Sequence, residues 1–120
     1  MSTQDTCCTI VPYFKVHDGQ LEAFKALCER FVETTSSEEK CLYYGFSFDG
    51  HMAHCREGYA DAEGLLTHLG NVGALLQEAL KIASIERLEV HGPEQELAKL
   101  REPLAALNPQ FFTLEVGFRR

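Results

Sequence analysis

Tryptophan is absent from this chain, and basic residues are scarce, 11 against 18 acidic ones, for a formal charge of −7. That negative field repels a phosphate backbone, so no nucleic-acid partner is expected. No apolar run approaches the roughly 20 residues that span a bilayer, and the first residues lack the basic-then-apolar form of a secretory signal. No membrane partner is expected, and a cytoplasmic location is. Repeats and low-complexity stretches are also missing, and 120 residues suit one domain over 1–120, with residues 1–6 frayed.

C-x-x-C spacing is missing as well. The five cysteines, Cys7, Cys8, Cys28, Cys41 and Cys55, read as reduced thiols that pack as small apolar groups. A reactive thiol would need an exposed, electropositive place, for which Cys7 and Cys8 are the candidates. The nearest approach to a metal cluster is His51, His54 and Cys55. Strand alternation sends His54 and Cys55 to opposite faces, so no metal site is expected.

What is present is a regular alternation of strand and helix patterns. A strand is read from Cys7 to Val16, with Cys8, Ile10, Phe14 and Val16 on one face and an edge or bulge at Pro12. Asp18 is placed to cap a helix over residues 20–35. Strands over 41–48 and 52–59 flank Asp49-Gly50, the pair best suited to a tight hairpin. A helix follows from Ala62 to about Ala83, then a strand over 84–91 that ends at Gly92-Pro93. A short helix over 94–107, broken before Pro103, and a strand over 110–118 complete the chain. The order is α+β, a ferredoxin-like β-α-β-β-α-β with an extra short helix and C-terminal strand. Two helices cover one sheet face only. The other mixes aromatic and polar residues and would suit a second copy of the chain, so a homodimer is expected.

The stretch Tyr59–Leu80, YADAEGLLTHLGNVGALLQEAL, concentrates the functional signals. Asp61 is read as its N-cap, and Leu65, Leu69, Val72, Leu76 and Leu80 form one helical stripe. His68 sits at the edge of that stripe. Its neutral role is a packed, hydrogen-bonded structural histidine. Likewise Glu57 can be half of an ion pair with Arg56 or Arg87, and Asn71 a helix-surface residue.

With these elements in place the chain resembles the antibiotic biosynthesis monooxygenase family of dimeric α+β barrels. The resemblance is carried by CLYYGFSF, by REGYADAEGLLTHL, and by the order of elements from Cys8 to His91. Glu57, Tyr59, Asp61 and His68 match the family's passage of Glu, aromatic, acidic cap and helical His. It implies a small-molecule pocket between the helices and the inner sheet face, and oxygenation of aromatic, phenolic or quinol-type substrates without metal or flavin. Haem degradation, which in such relatives relies on Trp and a second helical His, is disfavoured, so no cofactor is expected. In that reading His68 or Glu57 is the base, and Tyr43, Tyr44, Asn71 and Tyr59 contact the substrate. The alternative is a non-catalytic ligand-binding or scaffold dimer with the same barrel.

Overall fold

Alternation in CTIVPYFKV makes β1 (Cys8–Val16), and every even-numbered residue of it is buried. In the computed structural model, which describes residues 5–120, β1 is the middle strand of a five-stranded sheet. The expectation for residues 1–4 lies outside that range. Around β1 the chain adds α1 (Leu21–Thr35), β2 (Cys41–Asp49), β3 (Met52–Tyr59), α2 (Ala62–Asn71), α3 (Gly73–Ala79), β4 (Ala83–Gly92), α4 (Glu94–Leu100) and β5 (Gln110–Thr113). A 3-10 turn, Ala105–Leu107, precedes β5.

The strand order is β2-β3-β1-β4-β5, antiparallel throughout except for the β4–β5 pair. This is the ferredoxin-like arrangement read from the sequence, with helices on one face. Gly50, at φ +58, makes the hairpin turn between β2 and β3. Pro12 lies in a central strand rather than an edge, and the bulge falls beside it, where the β1–β4 register shifts between Tyr13 and Phe14.

Three boundaries differ from expectation. Asp18 does not cap α1: the chain turns at Gly19, φ +79, and the helix starts after Gln20, two positions too late for that side chain. The helix expected from 62 to 83 is two helices, broken at Val72. Gly70, Val72 and Gly73 are weak helix formers, so the apolar stripe crosses a point of low helix propensity. The last strand stops at Thr113 because β4, its neighbour in the sheet, ends at Gly92. Val116 and Phe118 are left 69% and 80% exposed.

Two apolar clusters hold the helices to the sheet. One joins Cys8, Ile10 and Val90 to Tyr59, Leu65, Leu97 and Leu100; the other joins Phe14 and Ala53 to Phe24, Phe31, Val72 and Leu75. Each buried Leu or Phe contributes about 1.5–3 kcal/mol. A cavity lies in the seam between them, where Ile10 and Leu88 of the first cluster meet Phe14, Phe24, Phe31 and Val72 of the second.

Candidate active site

Period-two alternation on β3 points Ala53, Cys55, Glu57 and Tyr59 beneath the helices, and His54 and Arg56 to the opposite face. Glu57 therefore enters the core, only 5% exposed. The expected ion pair with an arginine does not form: Arg56 lies over the Tyr43 ring, and Arg87 pairs with Glu89. Instead the Tyr59 hydroxyl donates to Glu57 Oε1 at 2.6 Å, and His68 Nε2 stands 3.3 Å from the same oxygen.

His68 reaches that oxygen because α2 is firmly seated. Asp61 accepts from the Gly64 amide at 2.9 Å and from Lys40 Nζ at 2.8 Å. A Cβ at position 64 would lie 2.7 Å from Lys40 Cβ, so only glycine allows this approach. Glu96 Oε1 accepts from the Ala62 amide at 3.0 Å, which satisfies a second amide of the first turn. The His68 ring is then held between Tyr44 and Tyr59, with centroids 5.2 and 5.0 Å away.

The second ring nitrogen is also engaged. His68 Nδ1 lies 3.0 Å from Glu38 Oε2 and 3.2 Å from Oε1. Asn71, three residues after His68 and so on the same helix face, donates to Glu38 Oε2 at 2.8 Å. The result is one line of buried groups, Glu57–His68–Glu38. Because the two carboxylates meet opposite nitrogens of one ring, they do not converge on a common point. Among the described residues no group of three such side chains could hold a metal ion.

Burial without a cation pushes the Glu57 carboxyl up to about 7, and the Glu38 charge acts in the same direction, against the hydrogen bonds from Tyr59 and Cys55. Burial also lowers the His68 pKa, opposed by Glu38. Desolvation raises both tyrosine hydroxyls, Tyr44 and Tyr59, so each stays a neutral donor. Near neutrality Glu57 is therefore close to its midpoint, protonated in part of the molecules, beside a neutral His68.

Glu57, His68 and Tyr44 border a cavity of about 50 Å³ whose other walls are apolar, among them Phe24, Phe31, Leu69, Leu88 and Leu107. That is room for one or two waters, each occupying about 30 Å³ in the liquid. Leu107 is the exposed member of the lining, 39% accessible, on the 3-10 turn that ends at left-handed Asn108.

The remaining sequence candidates fall elsewhere. Tyr43 points to the opposite face, where its ring covers Gly58 so closely that a Cβ there would meet it at 2.5 Å. Strand parity separates it from Tyr44, and the helices lie on the Tyr44 side. Asn71 bonds Glu38 and the Thr34 carbonyl rather than the cavity. Tyr59 is wholly buried and meets the site through Glu57 and the His68 ring, away from the cavity lining. Cys8 is no reactive thiol, being buried with its pKa pushed up to about 12, and burial raises Cys7 too. Glu38 was not among the candidates. It sits in the polar run between α1 and β2, and only the fold brings it to His68, 30 residues away.

MupZ from Pseudomonas fluorescens is 55% identical to this chain, covers 100% of it over 94% of its own length, and superimposes with a TM-score of 0.95. The chain belongs to the same family as MupZ and has the fold of antibiotic biosynthesis monooxygenase-like proteins. The MupZ-like fold is shared more widely. A candidate antibiotic biosynthesis monooxygenase from Chloroflexus aurantiacus J-10-fl matches 72% of the chain and 92% of its own, at 18% identity and a TM-score of 0.61. A Bacteroides thetaiotaomicron protein of unknown function, described as a possible oxidoreductase, matches 72% and 96% at 15% identity and 0.65. No family model and no curated protein matches the sequence. Among the described residues no helix is long and apolar enough to cross a membrane.

Proposed function

We propose that this protein is a small-molecule enzyme in which Glu57 performs acid–base chemistry on a neutral, largely apolar substrate. The observation that carries the reading is a carboxyl 5% exposed, raised to about 7, on the wall of an apolar cavity. A barrel serving only as scaffold gains nothing from such a group, since burying a carboxyl without a cation costs stability. A pKa near the working pH is, by contrast, what a general base requires. Among the described residues no lysine or arginine lines the cavity, so an anionic substrate group would find no counter-charge from them.

The reaction we put forward is cofactor-independent oxygenation of an aromatic, phenolic or quinol-type substrate. The substrate displaces Leu107 and widens the cavity. Ionised Glu57 takes the phenolic proton and shares it with His68, while the Tyr44 hydroxyl is the neutral donor nearest the new oxyanion. The electron-rich ring carbon then bonds to dioxygen. Cleavage of the O–O bond leaves one oxygen in the product carbonyl and releases the other as water. A second reading is favoured by the protonated state of Glu57, which suits it as an acid: addition, elimination or isomerisation without oxygen.

Oxygen uptake with an anthrone and a hydroquinone in metal-free buffer tests the first reading. Wild-type protein should consume oxygen, and Glu57→Gln should be slower by about 10²–10⁴-fold, the usual worth of a general base. Uptake equal in both proteins would remove Glu57 from the chemistry. Turnover that persists under anaerobic conditions would select the second reading.

Dimerisation belongs to the same proposal. The sheet face away from the helices carries Val11, Tyr13, Tyr43, His54 and Phe112, and Leu114, Val116 and Phe118 extend from its edge. A second copy would cover both. Light scattering should give twice the 13.5 kDa chain mass; a 13.5 kDa species alone would refute it.

A further inference from the structure

The ring of His68 has a choice of two places for its proton, and Glu38 is arranged to make that choice. An ionised Glu38 can only accept, and it offers both oxygens to Nδ1, at 3.0 and 3.2 Å. Its side chain is 6% exposed and cannot turn freely to water. Asn71 Nδ2 anchors Oε2 at 2.8 Å and is itself braced on the Thr34 carbonyl at 3.3 Å. The opposite nitrogen, Nε2, faces Glu57.

We propose that Glu38 is a positioning residue: it fixes the His68 proton on Nδ1, leaving Nε2 with a lone pair that accepts from the Glu57 carboxyl. This rests on the reading of Glu57 as the acid–base group and adds what keeps that group loaded. Were the proton on Nε2, it would point at Glu57 Oε1, favour the carboxylate and empty the store. With it on Nδ1, Glu57 can both hold its proton and hand it to His68. The arrangement follows the general logic of a base oriented by a third group, with Glu38 acting through His68 and never touching substrate.

The other groups around the line do not compete for this role. From β3, Tyr59 donates to Glu57 and Cys55 stands beside it. From β2, Tyr44 stacks near His68 and the Cys41 thiol points to the Tyr43 carbonyl. Among the described residues the ion-pair partners of His68 are Glu38 and Glu57, so Glu38 is the charged partner on the Nδ1 side. Glu38 also borders a surface cavity of about 190 Å³ with Thr35, Ser36, Cys41 and Tyr44. Thr35 Oγ1 is buried there and makes no full hydrogen bond, although it stands close to the Tyr44 hydroxyl.

The test is ¹⁵N-detected NMR of the His68 side chain, just below the Glu57 midpoint. The wild-type protein should show the Nδ1–H tautomer. Glu38→Leu, which can accept nothing, should show Nε2–H, and its Glu57 midpoint should fall further than in Glu38→Gln, which loses the same charge but keeps the tautomer. Glu38→Gln, whose carbonyl oxygen can still accept from Nδ1, should keep the wild-type tautomer. An Nε2–H tautomer in the wild type overturns the proposal, and that measurement needs no variant to fold. So does an unchanged tautomer in a folded Glu38→Leu protein. Neither readout depends on turnover: a silent oxygen assay would sink the oxygenase reading and leave this one standing, and the reverse also holds.

Discussion

Glu57→Gln is expected to be more stable than the wild-type protein in alkaline solution, by on the order of 3 kcal/mol. The reason lies in the proton Glu57 carries. In the unfolded chain the carboxyl titrates near its ordinary value of 4.5; in the folded protein burial raises it to about 7. Below that window both states are protonated, and glutamine and glutamic acid differ little. Across it the unfolded chain sheds a proton that the folded one retains, so each pH unit removes about 1.4 kcal/mol from the wild type. Above it the full loss is present, because the folded protein must bury an ionised carboxylate. Glutamine has no such charge. His68, whose pKa is lowered, acts in the opposite sense, losing stability as pH falls, but it is common to both proteins. Urea titrations at several pH values measure the difference between the two. It should be small in acid and grow through neutrality; a difference that stays flat would mean Glu57 titrates as a surface carboxyl does. A variant that gains stability while losing activity is what a strained functional residue produces.

The second large effect is expected at His68. Its ring separates two buried carboxyl groups and is the partner of both. His68→Ala removes the link, opens a void between Tyr44 and Tyr59, and leaves Glu38 and Glu57 facing each other without an intervening donor. Removing a buried, hydrogen-bonded ring, with the cavity and the unpaired acceptors it leaves, typically costs about 3–5 kcal/mol. The loss should be greatest in alkaline solution, where both carboxyls are ionised, and should shrink in acid as Glu57 takes up its proton. Adding Glu57→Gln to His68→Ala should recover part of it, since one of the two uncompensated charges is then gone. Thermal unfolding of the single and double variants checks this. Additive effects would contradict a coupled line, because independent sites add and sites in one network do not.

Much of the fold could be read from residue patterns, for identifiable reasons. Asp49-Gly50 set the hairpin, and β3 begins and ends where alternation and the Asp61 cap place it. The same alternation put Glu57 and Tyr59 together and set Tyr43 apart from Tyr44. It left open which face was inner, because both faces carry aromatic residues. Packing of α1 decided that, through Phe31 against Phe46 on the Tyr44 side. Other features had no local signal. The stripe from Leu65 to Leu80 is apolar across Val72, and the break there reflects backbone propensity, which an apolar pattern does not report. Residues 114–118 alternate like a strand, yet a strand needs a neighbour and β4 has already ended. Glu38 was hidden more deeply, in a polar loop whose composition resembles any solvated turn. Its role comes entirely from the 30-residue separation that the fold closes.

The central claim is that Glu57 is a buried carboxyl holding its proton near neutrality beside the cavity. The most direct measurement is a ¹³C NMR titration of its side-chain carboxyl, assigned by comparison with Glu57→Gln. A midpoint close to 7 is the predicted result, and a midpoint near the ordinary glutamate value of about 4.3 would contradict it.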